Sequence, residues 1–562
     1  MEVALYLPVV LRSLVALAVG ILVLAGYRYV HRQSAALGTL VGAAILIRAG
    51  LGLALFWISY LTLPIAEAFQ VAGGFWQPAL DATGYFQYAA AAADARTLYP
   101  LDHAVPAPLF IDTLTLWMGA VGTSHAAGML LNLCLFIALT SLMVWCYRPV
   151  NDWRRDLPCL VSVGGYAFSP VVLVHSTQPM KEELFGAFVA LGCIGLLMLR
   201  PLISGATAAE QRRGTLVGAA IITAALLGVA GIRWYFAFIM WCCLALALLM
   251  VAINGRRTPL RRYALGSVAV LAAGWVAFWS ASGPNYRQVG PSFDTVLEWP
   301  AHMWNTTQMA RSGFLNSGGS SNIVVSLHDD PGAGRAAALR REEAQRAWLA
   351  DRERTNPTAP APPPPARLGE AQRIEAQRAA AEVAAARRLR PAPPPPARLG
   401  EAQRIEARVE PEKALTPDIA RSIPVTPLDH VRTAATGLAL VFLPISLVGV
   451  LTGITVPSGG GLVALSEVDT IFLDLSCLAM LILVWQRRHM IGDRWLSVFF
   501  SAGLAGTTAI LLGYVVTNFG TLVRMRIAVA IPIWLLGLTL ATRRDSVAHP
   551  PVAPSGAGER VA

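Results

Sequence analysis

Apolar residues fall along this chain in long unbroken blocks. They show neither the alternation of a half-buried strand nor the one-sided stripe of a surface helix. Blocks of spanning length cover 4–26, 36–62, 126–147, 158–177, 183–200, 215–232, 234–253, 263–281, 467–486, 495–517 and 525–542. A hydrocarbon core about 30 Å thick takes roughly 20 helical residues. Lipid offers the backbone no hydrogen-bond partner, so each block must be helical. Two more blocks, 105–122 and 433–456, are ambiguous. The first opens with Pro106 and Pro108 and contains Asp112; the second contains Pro444 and ends in Pro457-Ser-Gly-Gly-Gly. Each reads as a span, a re-entrant piece or an interfacial helix. The predicted fold class is all-α: a polytopic transmembrane helix bundle of about 11 spans, 11–13 at the extremes.

Composition narrows the class. The 562 residues are 55% hydrophobic and 14% charged, with mean hydropathy +0.53. A soluble domain carries about 25% charged residues. The deficit excludes an ordinary soluble enzyme, a disordered protein and a nucleic-acid-binding module. Lys181 and Lys413 are the only lysines, so the net charge of +11 is almost wholly arginine. The seven cysteines sit in apolar blocks, without metal-ligand spacing or a disulfide framework. The first block has no small-residue cleavage pattern and reads as a retained helix, not a signal peptide.

The arginines set the orientation. Short basic loops stay cytoplasmic. They hold Arg28 and Arg32; Arg148, Arg154 and Arg155; Arg200, Arg212 and Arg213; Arg256, Arg257, Arg261 and Arg262; Arg487 and Arg488; and Arg543 and Arg544. Eleven spans put every cluster on one side, with the amino terminus outside and the carboxy tail inside. The expected location is an inner or plasma membrane of bacterial type. The outer face then receives 63–105, 178–182, 232–234, 282–432 and 518–524. The organisation reads as a bundle 1–281 with first outer loop 63–105, an outer region 282–328, an insertion 329–421, a second membrane region 422–545 and a cytoplasmic tail 546–562.

The insertion is built from Ala, Arg, Glu, Gln and Pro. It contains a repeat of period 31, in which Ala361-PPPPARLGEAQRIEAQ recurs as Ala392-PPPPARLGEAQRIEAR. Residues 329–421 hold 17 Lys+Arg against 14 Asp+Glu. Such a balance suits a tethered spacer of polyproline and isolated helix better than a nucleic-acid binder. A polysaccharide- or partner-binding role is the other reading.

Candidate chemistry lies on the outer face. In FWQPALDATGYFQYAAAAADAR, 75–96, Asp81, Tyr85 and Tyr88 share a helix face. Asp81 reads either as the cap of a juxtamembrane helix or as a general base at the membrane surface. In SPVVLVHSTQPMKEELFGAFVALG, 169–192, Lys181 stands at a helix N-terminus, where the dipole disfavours a cation. A bound anion resolves that conflict; so does snorkelling beside Glu182 and Glu183. Arg233 interrupts two spans at the outer surface. Arg524 and Arg526 open the last span in NFGTLVRMRIAVAIPIW, 518–534, and a guanidinium inside lipid needs a polar partner. Glu467, Asp469 and Asp474 begin another span, and Arg12 and Arg48 are candidate partners for them. One face thus gathers acids and phosphate clamps, as an anionic membrane-embedded substrate would require.

These segments resemble the GT-C class of polytopic glycosyltransferases, which includes protein O-mannosyltransferases and transferases that modify lipid A or polysaccharide. DATGYFQYAAAAADAR, PLFIDTLTLWMGAVGTSHAAGMLLNLCLF at 108–136, SPVVLVHSTQPMKEELFGAFVAL and NFGTLVRMRIAVAIPIW carry the resemblance. It implies a GT-C-like bundle with interfacial helices in the first outer loop. It further implies an extracytoplasmic site that moves a sugar from a polyprenyl-phosphate donor to a glycan, lipid or protein acceptor. Asp81 would be the catalytic base. Lys181, Arg233, Arg524 and Arg526 would hold the lipid phosphate, supported by Tyr85, Glu182, Glu467, Asp469 and Asn518. No cofactor is implied, and Asp81 lacks the acidic neighbour of a metal-binding pair. The chain departs from the pattern in having two spans before the first loop and in its long insertion. A polysaccharide polymerase or ligase, a flippase for lipid-linked saccharides and a non-catalytic scaffold are the competing readings. A transporter calls for symmetric halves and interrupted helices, and the sequence displays neither.

Overall fold

The computed structural model describes residues 2–71, 73–79, 81–99, 107–204, 206–253, 258–281, single positions between 304 and 343, 422–452, 460–491, 494–517 and 519–540. Nearly all of them are helical. In chain order the helices are α1 (Glu2–Gln33), α2 (Ala35–Tyr60), α3 (Asp81–Ala95), α4 (Pro108–Val121), α5 (His125–Tyr147), α6 (Trp153–Phe168), α7 (Pro170–Ser176), α8 (Glu182–Met198), α9 (Ala208–Ile253) and α10 (Leu260–Ala281). After the insertion come α11 (Pro427–Phe442), α12 (Ile445–Thr452), α13 (Gly460–Gln486), α14 (Trp495–Val515), α15 (Phe519–Met525) and α16 (Ile527–Leu535). Among the described residues nine helices are long and apolar enough to cross a membrane, or ten if the bent pair α6–α7 is one span.

α9 turns back on itself. Arg233 leaves helical geometry at φ −146° and ψ 82°. Gly192 of α8 faces both Ala225 and Met240, and one small void is lined by Ile222 and Leu226 from the first half and Met240 and Leu244 from the second. The two halves therefore run antiparallel, as two separate apolar blocks in the sequence anticipate. The ambiguous blocks are short helices. α4 has 14 residues, about 21 Å at 1.5 Å per residue, too short for the hydrocarbon core. Block 433–456 is cut between α11 and α12 at Pro444.

Helix breaks that the sequence reading did not anticipate have a common physical origin. Proline lacks an N–H, so the carbonyl four residues before it loses its helical donor. In an apolar medium that carbonyl needs another partner. Pro170 frees Tyr166 O, and α6 and α7 bend by 55° at this point. Arg48 Nη2 from α2 donates to Tyr166 O at 3.2 Å and to Ala167 O at 3.4 Å. Pro158 frees Arg154 O, which accepts from Arg487 Nη2 at 2.6 Å. Pro444 frees Leu440 O, which accepts from Arg526 Nη2 at 2.5 Å. Each of these arginines is a donor for a carbonyl that a proline frees.

The chain divides into two compact units, Met1–Ile323 with Arg432–Ala562, and Val324–Val431. The repeat at 361–408 lies outside the described residues. Helices from both sides of the insertion form the first unit. Ser162 Oγ of α6 donates to Trp534 O of α16 at 2.7 Å, and Gly165 lies against the Trp534 indole. The turns at Arg148–Trp153, Gln486–Trp495 and the end of α16 gather at one end of this unit, joined by Arg487 to Arg154 O and by Arg494 Nη1 to Thr539 O at 2.8 Å. In the second unit, Thr426 N donates to Asp429 Oδ2 at 2.7 Å and Asp429 N to Thr426 Oγ1 at 3.2 Å, a reciprocal cap at the start of α11.

α11 meets α14 at two glycines. A Cβ on Gly437 would fall inside the Gly513 carbonyl, and a Cβ on Gly513 would lie 2.6 Å from Gly437 C. Gly437→Ala therefore forces the helices apart and destabilises the protein by about 1–3 kcal/mol. Thermal unfolding of the purified protein measures this. An unchanged midpoint would show that the helices do not approach so closely.

Candidate functional site

The segment that follows α2 is pinned to the bundle. Two short strands, β1 (Gln70–Val71) and β2 (Phe75–Trp76), pair antiparallel, Gln70 opposite Trp76 and Val71 opposite Phe75. Gly73 and Gly74 turn between them at φ +81° and +92°, where a side chain is strained. Ser59 Oγ donates to Val71 O at 2.7 Å, and Trp76 Nε1 donates to Leu55 O at 2.8 Å. Gln178 Nε2 reaches Gly74 O at 3.4 Å, while Asn132 Nδ2 holds Gln178 O at 2.6 Å. The loop and the α7–α8 link that precedes Lys181 are thereby fixed to one another.

α3 follows this hairpin. Ala82, Tyr85, Ala89 and Ala92 form its buried stripe. Asp81, in the first turn, is half-exposed, and Arg524 Nη1 donates to its Oδ2 at 2.5 Å. Among the described residues no backbone N–H of that turn donates to Asp81, so its carboxylate serves Arg524 and not the helix start. Lys181 Nζ stands 5.1 Å from the centre of the Tyr85 ring. Beside it, Arg233 Nη2 donates to Glu182 Oε1 at 2.9 Å, with both side chains buried. Arg233 Nη1 also donates to Met525 Sδ at 3.0 Å, and its guanidinium lies 4.9 Å from the Phe185 ring centre.

Four of the five candidate catalytic and phosphate-binding residues, Asp81, Lys181, Arg233 and Arg524, thus come together, with Tyr85 and Glu182 beside them. Three cations face two carboxylates. Among the described residues Lys181 has no carboxylate within ion-pair distance, and Glu182 Oε2 and Arg233 Nε are buried without a partner. The cluster therefore carries a surplus positive charge and unused polar atoms. Partial burial raises the Asp81 carboxyl, but the Arg524 guanidinium, helped by Lys181 and His175, more than offsets this and holds it below the usual range. Burial pushes the Tyr85 phenol well up, and the Asp81 and Glu182 carboxylates push it further. Burial and the neighbouring Arg233 charge lower the Lys181 ammonium to about 8.

The remaining expectations are corrected. Arg526 does not join the cluster; its guanidinium is used by Leu440 O, Thr470 Oγ1 and Ser466 Oγ, because Pro444 left a carbonyl to be satisfied. Asp469 is elsewhere too. Its Oδ1 accepts from Ser169 Oγ at 2.6 Å and Val171 N at 3.1 Å, serving the broken start of α7. Glu467 accepts from Ser446 N at 3.0 Å and touches neither group. Asn518 lies outside the described residues. Arg48 pairs not with those acids but with Glu183, at 2.8 Å.

The sequence reading missed His175 and Met525 as neighbours. His175 acts electrostatically on both Asp81 and Glu182. It sits six residues before Lys181 in the segment already singled out, and only the α7–α8 turn brings it in. Arg311 Nη1 donates to Tyr514 O at 2.5 Å, at the end of α14. Among the described residues no group of three or more His, Cys, Asp or Glu side chains is placed to hold a metal ion.

No protein-family model, curated protein or solved structure matches the chain.

Proposed function

We propose that this integral membrane protein is a glycosyltransferase that moves a sugar from a polyprenyl-phosphate donor to an envelope glycan, lipid or protein on the outer face of an inner or plasma membrane. The observation that carries the reading is the half-exposed Asp81–Arg524 pair beside the unpaired Lys181. In this reading α6–α7 and the two halves of α9 each count as crossings, giving eleven, and the arginine-rich end faces the cytoplasm. The cations hold the phosphate, whose charge grows as the bond to the sugar breaks; preorganised donors aimed at developing charge give the largest catalytic gain. A phosphate arriving at Arg524 competes with Asp81 for the guanidinium. As Arg524 turns to the phosphate, the carboxylate becomes more basic and takes the proton of the acceptor hydroxyl. The bend at α6–α7 supports a second reading, transport of the same lipid-linked saccharides, since interrupted helices mark transporter sites.

Binding of a polyprenyl monophosphate to the protein in nanodiscs tests the phosphate assignment. A hydrogen bond to a charged group contributes about 1.5–3 kcal/mol, so Lys181→Met weakens binding by roughly ten- to a hundredfold. The pH dependence has a definite sign. Lys181 loses its proton in the free protein from about pH 8. The bound phosphate favours the ammonium form, so affinity falls as pH rises above about 8; below about pH 7 the second ionisation of the phosphate, at about 6, adds its own dependence. Lys181→Arg keeps its charge and removes the fall. Equal affinity of wild type and Lys181→Met at neutral pH would refute the assignment. Turnover of a polyprenyl-phosphate sugar separates transferase from transporter.

A further inference from the structure

A second charged cluster lies inside the membrane portion of the bundle, apart from the outer one. Asp474 stands at the middle of the span Val463–Gln486, about 17 Å of helix from either end. Asp469 lies one to two turns above it and is fully buried. Arg526, at the start of α16, is the cation that acts on both acids. Cys477, close by on α13, is the other titratable group against Asp474. Ser169 Oγ and Val171 N donate to Asp469 Oδ1, and the hydroxyls of Ser466 and Thr470 and the Leu440 carbonyl surround Arg526.

The charge balance of this cluster does not close. Two carboxyl groups face one guanidinium. Arg526 spends its Nη atoms on Leu440 O, Thr470 and Ser466, and makes no ion pair with either acid among the described residues. Its Nε is buried without a partner, and so is Asp469 Oδ2. Asp474 accepts no hydrogen bond from the described residues. Asp469 is fully buried and Asp474 partly so, and an uncompensated carboxylate at this depth is among the costliest groups a bundle can hold.

We propose that Asp469, Asp474 and Arg526 form an intramembrane proton-binding site that holds one proton at neutral pH, on a carboxyl group of α13. The proton removes the excess negative charge where, among the described residues, Asp469 Oδ2 and Asp474 have no donor. Three helix interruptions, at α6–α7, α11–α12 and α15–α16, meet at this point. Unlike the transferase reading, this site depends only on groups within the span, and its test requires no turnover.

The test uses the full-length protein in lipid nanodiscs and dicyclohexylcarbodiimide, a reagent that partitions into bilayers. The reagent adds to a protonated carboxylic acid and rearranges to a stable N-acylurea. Near neutral pH, peptide mapping is expected to find one adduct per chain, on Asp469 or Asp474. Asp81→Asn retains it and the double variant Asp469→Asn/Asp474→Asn loses it. A water-soluble carbodiimide with glycine ethyl ester is expected to modify Asp81 and to spare both acids. No adduct on either residue, or equal modification by the water-soluble reagent, would overturn the proposal. Where the double variant does not fold, the infrared spectrum decides. A carbonyl stretch of a protonated carboxyl at neutral pH that either single variant, Asp469→Asn or Asp474→Asn, removes supports the site, and no band, or a band unchanged in both, removes it.

Discussion

Arg48→Ala is expected to destabilise the protein by about 3–5 kcal/mol, the usual cost of removing one partner from a buried ion pair. Arg48 and Glu183 are 4% and 2% exposed. Glu183 also accepts from Tyr166 OH. The guanidinium lies 4.2 Å from the centre of the Phe136 ring. Alanine leaves an unpaired carboxylate and orphans Tyr166 O and Ala167 O, the carbonyls at the Pro170 break. Lysine has one nitrogen in place of a planar fork, so its donors cannot span acceptors that Arg48 reaches with two separate Nη atoms. Thermal unfolding in detergent should place Arg48→Ala and Arg48→Lys both below wild type, with alanine lower. Arg48→Met/Glu183→Met should recover the part of the loss that comes from the unpaired carboxylate, but not the part that comes from the orphaned Tyr166 O and Ala167 O. A single variant as stable as wild type would show that the pair holds nothing together.

Asp81→Asn is expected to lower kcat for a polyprenyl-phosphate sugar by roughly 10²–10⁴, the contribution of a positioned general base. The Michaelis constant should change little or fall, because Arg524 then has no carboxylate competing for it. Stability should shift by less than about 1 kcal/mol, since Asp81 is half-exposed and such pairs contribute little. Arg524→Met should show the opposite division, with a raised Michaelis constant. Undiminished turnover by Asp81→Asn would remove the base from the mechanism, and a parallel loss of folded protein would make Asp81 a structural residue.

The outer cluster was legible in the sequence wherever the signal was a charge in the wrong place. Lys181 at a helix N-terminus, Arg233 between two spans and Arg524 at the opposite end of the spans from the arginine-rich turns each defy the ordinary distribution of basic residues. They converge because the loops that carry them are short. Arg526 carries the same signal for a different reason. A guanidinium that balances phosphate and one that satisfies a carbonyl freed by Pro444 look alike in one dimension. Pairing is likewise invisible: Glu182 and Glu183 are adjacent, yet a helix turns them to different partners, Arg233 and Arg48.

The length of each apolar block and the absence of hydrogen-bond partners in lipid fix the helices, so the amino-acid sequence by itself determined the all-helical membrane class and the near-register of its elements. Side-chain neighbours come from helix rotation and from breaks at prolines, which depend on packing between segments hundreds of residues apart. Tertiary structure alone therefore decided that Asp81 meets Arg524, that Arg526 serves Leu440, and that Asp469 is buried against the start of α7.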